Sequence, residues 1–465
     1  MLLLFLSLSA FAQEPAANPT NLQFNNIKSY GLTLSFTGVQ ADGYLVLKSD
    51  QIITFVPVDH TTYEKGQGVP GGAKVVSGSA AATLYSVREM LEDTRYYFAI
   101  YAFNGTGTSI DYKQTNALTG DILTPAADPG SYYVSVDSAA YSFISDLHTL
   151  INPHTQSTYT PGYANTILPA MYERDTTGGQ AVVNCEYSAA TTIYTPPFSF
   201  TGTNYTREHV LCKSWMQTYT QYGSNVVQYP EGSDYHNLLL VAGSPNSARN
   251  NHPYGVVVNT TNTYGPSKIG KDANNITVFE PGDNRKGDAA RAMMYEMICY
   301  DGLSGDWGLK QLLSEAADQD QNVLKQWNIM DPPDKFERTK NEFIFSVQSN
   351  RNPFIDHPQW ANCINFDSLF KTNVCGAVSG IRDEVLDVRV NIYPNPATEY
   401  LNVQLFGEQQ DFTAEIVDMY GRIILSAPVT GNLVQIGVNQ LPSGNYLLKI
   451  TAGTKSAYHK FLILN

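Results

Sequence analysis

A carboxylate, an imidazole, a carboxamide and a guanidinium lie close together near the middle of the chain. The run Thr206-Arg207-Glu208-His209-Val210-Leu211-Cys212-Lys213-Ser214-Trp215 is followed by Asp234-Tyr235-His236-Asn237-Leu238, and then by Asn246-Ser247-Ala248-Arg249-Asn250-Asn251. A hard divalent cation such as Mg²⁺, with Mn²⁺ or Ca²⁺ as alternatives, takes oxygen donors and keeps several waters. Glu208 and the amide oxygen of Asn246 would therefore be enough to hold it. His209 is then free of metal duty. With an ordinary pKa of about 6.5 it is neutral near pH 7 and can take a proton from an attacking water. Arg249 could grip phosphate oxygens in a bidentate fork, or equally only pin the helix to the hairpin. Together these parts suit phosphodiester hydrolysis, in which a metal offsets the charge that develops on phosphate and leaving oxygen.

The other candidates have plainer readings. His236 is expected to brace the hairpin through hydrogen bonds. Arg291, Arg338 and Arg351 are expected to serve structure, and His357 to close a turn. His60, His148, His154, His252 and His459 have no evident convergent partners in the sequence.

These residues need a scaffold, and 465 residues allow about three domains at roughly 150 each. With 43% hydrophobic and 15% charged residues the chain has enough apolar mass to form cores, which excludes a wholly disordered protein. The fold class expected is multidomain. Residues 18–124 alternate short apolar runs with turn residues, as in Leu32 to Phe36, Tyr44 to Lys48 and Tyr96 to Phe103, the pattern of a β-sandwich. A Pro-rich linker follows at Pro125 to Gly130. Residues 128–375 are expected to be α+β, with helical periodicity over Ala139 to Ile151, Ala289 to Tyr300 and Phe336 to Gln348. The stretch 160–285 between the first two is poor in helix formers and should carry the functional loops. Residues 385–465 return to a β pattern, read as a small sandwich.

The first 13 residues form an apolar run ending in Ala10-Phe11-Ala12, read as a signal peptide that directs export. No other stretch is apolar for long enough to span a bilayer, so no stable membrane insertion is expected. Five cysteines allow at most two internal disulfides. Cys363 with Cys375 would close a short loop, Cys185 with Cys212 is a second candidate pair, and Cys299 would be a buried thiol; spacing does not fix connectivity.

Three stretches resemble known families. Asp93 to Ala102 resembles the tyrosine-corner strand of fibronectin type III domains, with Phe36 where that family usually has Trp. This implies a module that acts as a spacer or an adhesion surface. Tyr393-Pro394-Asn395-Pro396, Asp418 to Arg422, Leu441 to Tyr446 and Lys460 to Ile463 resemble, in that order, the C-terminal sorting domain of the type IX secretion machinery. The implied location is secreted or at the cell surface. Finally, Arg-Glu-His, Asp-x-His-Asn-Leu, Asn-Ser-x-Arg-x-Asn, Phe279-Glu280-Pro281, Lys286 to Ala292 and Asn350 to Asp356 resemble the bacterial endonuclease I family over most of residues 130–362. That resemblance implies a ββα-metal site with His209 as general base and Glu208 and Asn246 as metal ligands. It also implies cleavage of DNA, often RNA too, leaving 5′-phosphate ends. Cys212 and Leu240 stand where the family commonly has Pro.

A formal charge of −14 and a pI near 5.0 argue against a protein that coats nucleic acid through bulk positive charge. Residues 203–291, however, hold eight basic and seven acidic side chains, so the acidity lies mostly outside the motif-bearing stretch. That distribution suits an enzyme that uses local arginines and a metal and must release its product. The rival expectation is a surface adhesin or matrix-binding protein in which a degenerate nuclease domain binds DNA without cutting it.

Overall fold

The computed structural model describes residues 12–216, 218–300, 319–366, 369, 375, 384–385, 389–406, 412–418, 422–429, 431–453 and 455–464. The apolar run expected to be a signal peptide lies outside them up to residue 11, as do 419–421 of the sorting motif.

The N-terminal module contains β1 (Thr20–Lys28), β2 (Gly31–Thr37), β3 (Gly43–Ser49), β4 (Lys74–Ala80), β5 (Leu84–Val87), β6 (Arg95–Asn104), β7 (Asp111–Tyr112) and β8 (Leu118–Leu123). They form two antiparallel sheets, β1-β2-β5 and β4-β3-β6-β7, with β8 on the free side of β6. Alternate residues of β2 point inward, so Leu32, Leu34 and Phe36 meet Val46, Phe98 and Ile100 in one core. Phe36 packs edge-on to Tyr44. The hydroxyl of Tyr96 accepts the Leu91 amide at 2.9 Å, closing the tyrosine corner across the turn into β6.

This module, expected to act as a spacer or an adhesion surface, makes ion pairs and hydrogen bonds with the second domain. Arg88 bridges Glu173 and Asp175 of the second domain, both at 2.8 Å. Glu92 is buried: its carboxylate accepts from Arg338 Nε at 2.6 Å and the Ala127 amide at 2.8 Å, and its own amide donates to Thr339. Tyr30 stands edge-on to Phe343 at 5.0 Å.

The second domain is α+β. Its helices are α1 (Phe143–Ile151), the short α2 (Tyr219–Tyr222) and α3 (Pro230–Ser233), α4 (Gly243–Arg249), α5 (Lys286–Tyr300), α6 (Gln321–Met330), α7 (Lys335–Gln348), α8 (Pro353–Asp356) and α9 (Trp360–Cys363). Capping side chains set several starts: Asp334 accepts the Glu337 amide at α7, and Asn352 accepts that of Phe354 at α8, where Pro353 needs no donor. The helices expected at Ala289 to Tyr300 and Phe336 to Gln348 form, and the one expected over Ala139 to Ile151 begins at Phe143. Two of the longer helices, α6 and Tyr163–Tyr172, have no counterpart in the sequence reading. Tyr163–Tyr172 is a π-helix containing Pro169, whose missing amide proton makes it a poor sequence signal for a helix.

Helix α5 was expected to bury one face, but every residue in it except Asp288 is buried. Its two basic side chains are paired internally, Lys286 with Glu280 at 2.7 Å and Arg291 with Glu337 through Nε at 2.8 Å, whereas the buried Glu296 carboxyl has no hydrogen-bond partner among the described residues. The domain's strands are β9 (Arg174–Asp175), β10 (Ala181–Asn184), β11 (Thr191–Tyr194), β12 (Tyr205–His209), β13 (Leu238–Ala242), β14 (Asn259–Tyr264), β15 (Ser267–Lys271) and β16 (Thr277–Glu280). They form the small sheets β11-β10-β9, β12-β13 and β14-β15-β16 around the buried helix.

The C-terminal region is a sandwich of two sheets, one with strands at 384–385, 412–417, 423–429, 444–452 and 455–463, the other with strands at 389–393, 400–406 and 433–437. Leu401, Val403, Ile416, Leu448, Ile450 and Phe461 fill its core.

Cys363 and Cys375 are joined, with Cα atoms 5.2 Å apart, whereas Cys185 and Cys212 are free and buried. The second pairing fails for a geometric reason. Cys185 Sγ accepts the Ala242 amide at 3.0 Å, and Ala242 pairs with Tyr205 at one end of β12; Cys212 follows His209 at the other. A five-residue strand separates its ends by more than 10 Å, beyond the reach of a disulfide.

The docking should show in stability. Glu92→Ala strands the Arg338 guanidinium, the Ala127 amide and the packing of the module against α7. It should cost about 2 kcal/mol and lower one shared unfolding midpoint, as read by urea titration with tryptophan fluorescence and far-UV circular dichroism. Separate transitions, with the nuclease midpoint unmoved, would contradict docking.

Candidate active site

β12 and β13 pair antiparallel, with Glu208 opposite Leu239 and His209 opposite Leu238. α4 starts at Gly243, directly after β13, and packs back on both strands. Two strands and a helix thus enclose Glu208, His209 and the helix-borne Asn246. The long connection between the strands, 210–237, is the loop-rich part of the stretch expected to carry function.

Arg249 closes this unit. It is 0% exposed; Nη1 donates to His209 O at 3.1 Å and Nη2 to Val210 O at 2.6 Å, and Nη1 lies 3.3 Å from Glu208 Oε1. Tyr254 covers its guanidinium at 4.6 Å. Nη1 and Nη2 of Arg249, expected either to grip phosphate or to pin the helix to the hairpin, are turned to the backbone at the end of β12, the geometry of the second alternative, while Nε is buried without a partner.

Glu208 is 3% exposed. Its Oε1 accepts from Tyr187 Oη at 3.2 Å, and that hydroxyl shares a 2.5 Å hydrogen bond with Tyr254. Burial raises the Glu208 carboxyl to about 7, against the opposing pull of Arg249 and the two tyrosines. Asn246, one turn before Arg249, is half-buried, and among the described residues its carboxamide has no hydrogen-bond partner. A buried carboxylate on β12 and an uncommitted amide oxygen on α4, which packs on that strand, fit the ligand chemistry of a hard, oxygen-seeking divalent cation.

His209 is 5% exposed, and its Nε2 faces Gly232 O at 2.9 Å. A carbonyl only accepts, so Nε2 carries the proton and Nδ1 presents a lone pair. No described residue bonds to Nδ1. Burial lowers the imidazole pKa to about 3, with Lys213, Arg207 and Arg249 acting in the same direction, so the ring is neutral across the physiological range. Tyr159 stacks on it at 5.3 Å.

Behind the hairpin lies a buried hub. Asp234 Oδ1 accepts the His236 amide at 2.9 Å and Gln348 Nε2 at 2.8 Å; Oδ2 accepts Tyr295 and Tyr300 hydroxyls, both at 2.7 Å. His154, read as lacking partners, bonds Tyr300 Oη at 2.6 Å. Ligand atoms of His154, Asp234 and Cys299 lie within 4.8 Å of one another, but Asp234 already accepts four donors and His154 Nε2 is engaged. The Glu208–Asn246 pair has the freer donors. His236 braces as expected, with Nε2 3.4 Å from Asn350 O and its ring against Tyr295. Arg351 spans Asp356 in a bidentate pair at 2.7 and 2.9 Å, making the Asn350 to Asp356 motif architectural.

The sequence pattern of the Endonuclease I family matches residues 139–359. An extracellular ribonuclease of Bacillus subtilis (strain 168) is 30% identical over 266 residues, 52% of this chain and 83% of that protein. The chain belongs to the endonuclease I family. An extracellular ribonuclease of Bacillus amyloliquefaciens is 29% identical over 286 residues, covering 58% of this chain and 89% of the relative. An extracellular deoxyribonuclease of Aeromonas hydrophila is 29% identical over 123 residues, 26% and 48% of the respective chains. Fibronectin type III and secretion-system C-terminal sorting patterns match residues 17–117 and 391–464. This endonuclease I family member is thus a secreted endonuclease. Among the described residues no helix is long and apolar enough to cross a membrane.

Sequence reasoning missed the supporting groups Tyr187, Tyr254, Tyr159 and Gly232. Tyrosine is abundant in this chain, with 30 copies, so no single one stands out before folding.

The hub predicts a pH signature. Against the opposing effect of burial, the neighbouring His236 and His154, followed by the Tyr295 and Gln348 hydrogen bonds, hold the Asp234 carboxyl below the ordinary value, so its stabilisation is present above about pH 4 and is lost as pH falls through the folded-state pKa. Asp234→Asn should therefore cost about 3 kcal/mol near pH 7 and far less near pH 2, as measured by urea midpoints. An equal loss at both pH values would refute the assignment.

Proposed function

We propose that this secreted enzyme is a metal-dependent, sequence-nonspecific endonuclease that hydrolyses DNA and RNA and leaves 5′-phosphate ends. The observation that carries the reading is the convergence on one ββα unit of an uncommitted Nδ1 on His209, a buried Glu208 and an unpartnered Asn246 amide. Nucleases of this family are metal dependent. Glu208 and Asn246 would hold Mg²⁺, with Mn²⁺ or Ca²⁺ as alternatives; when bound, the ion offsets charge on the phosphate and the departing 3′ oxygen.

The chain's own residues do the rest. His209 Nδ1 accepts the proton of the attacking water while Gly232 O holds the ring in the right tautomer. Tyr187 and Arg249 fix the Glu208 carboxylate without competing for all of its lone pairs. Water on the His209 side expels the 3′ oxygen, which leaves phosphate on the 5′ end. RNA belongs in the substrate range because the relatives spanning most of their length on this chain are named ribonucleases. The phosphodiester group alone is engaged by the residues named, so no base preference is expected.

In a plasmid assay with Mg²⁺, His209→Ala should lower the cleavage rate at least 10²-fold with an unchanged circular-dichroism spectrum; wild-type turnover would refute the role. EDTA should stop cleavage and Mg²⁺ restore it. Protons compete with the cation for a Glu208 carboxyl raised to about 7, so activity should fall as pH drops below 7, and more Mg²⁺ should move that fall to lower pH. A pH profile indifferent to Mg²⁺ concentration would exclude Glu208 as a ligand.

A further inference from the structure

Arg207 precedes His209 by two positions in β12, so both side chains leave the same face of the strand about 7 Å apart. Its guanidinium is held by two rings, with Tyr159 at 4.0 Å and Phe200 at 4.1 Å from the central carbon, and Tyr159 is the ring that stacks on His209. Nη1 is anchored to Tyr159 O at 3.4 Å and to Thr160 Oγ1. Nε is buried with no acceptor. The side chain as a whole is only partly buried, and the hydrogen bonds of its guanidinium to described residues run through Nη1. No carboxylate of the described residues forms an ion pair with Arg207, whereas the other site arginine, Arg249, is enclosed and paired with Glu208.

We propose that Arg207 is the substrate-gripping arginine of this site, taking the phosphate next to the scissile one on the same strand. A planar cation immobilised by stacking loses little freedom on binding and presents its fork to an anion. Its separation from His209 is of the order that divides neighbouring phosphates along a strand. The contact positions the chain and reads no base. Arg249 holds the metal-side carboxylate and Arg207 holds the polymer. The inference rests on the nuclease reading above.

The test is fluorescence anisotropy of a labelled oligonucleotide in EDTA, where cleavage is off, repeated across NaCl concentrations. Arg207→Gln should weaken binding about tenfold and reduce the slope of log Kd against log salt by about one. Arg207→Lys, which keeps the charge, should retain the slope. Thr160→Asp puts a carboxylate beside the guanidinium without touching the stack; it should lower the slope in the wild-type background and much less in Arg207→Gln. If Arg207→Gln fails to fold, Thr160→Asp carries the test. An unchanged slope in either variant overturns the proposal, as does an equal effect of Thr160→Asp in both backgrounds. A wild-type protein that leaves plasmid intact with Mg²⁺ would instead overturn the nuclease reading, so the two failures are separable.

Discussion

The Asp234 carboxylate is the constraint on which the catalytic domain depends. It is 0% exposed and accepts four hydrogen bonds, from the His236 amide on its own turn, from Gln348 at the end of α7, and from Tyr295 and Tyr300 on α5. A buried carboxylate is tolerable only when its lone pairs are met, and meeting them requires three elements distant in sequence to arrive together. Asn350 extends the network to the Tyr295 hydroxyl at 2.6 Å and to Ile151 O at the end of α1. The turn that carries Asp234 leads into β13, so the hub sets where that strand begins. β13 in turn sets the register of Glu208 and His209.

From there the constraint passes through Arg249. Its guanidinium ties α4 to the carbonyls that end β12, and the same group sits beside Glu208. Charge, packing and helix placement are thus served by one side chain, and Asn246 is carried into position one helical turn away. Among the described residues, Nδ1 of His209, the Asn246 amide and Nε of Arg207 have no hydrogen-bond partner. The fibronectin-like module grips α7 from outside through Glu92, Thr339 and Arg338. α7 carries Gln348, so the module and the hub share an element.

Much of this was legible beforehand where the signal is local. Period-two patterning marked the sandwiches, and the apolar spacing of 289–300 and 336–348 marked two helices. Glu208 and His209 are adjacent, which keeps the two residues close in any fold, although a strand sends successive side chains to opposite faces. Other features were not legible. The π-helix at Tyr163–Tyr172 contains a proline that normally argues against a helix. Cys185 and Cys212 were a candidate pair, yet Cys185 Sγ bonds the Ala242 amide at one end of the β12–β13 hairpin while Cys212 follows β12 at the other.

The two arginines mark the boundary most clearly. The sequence by itself determined the ordered motifs, hence the endonuclease I family, the adjacent Glu208 and His209 and the identity of the available donors, because residue type and short spacing survive any folding. Tertiary structure alone decided which donors remain free. Arg249 and Arg207 are the same residue type in equally motif-rich surroundings, but one faces backbone carbonyls and a carboxylate in the interior while the other is clamped between rings and only partly buried. Burial and partner count depend on distant segments, α5, α7 and the 210–237 connection, and no local pattern encodes them.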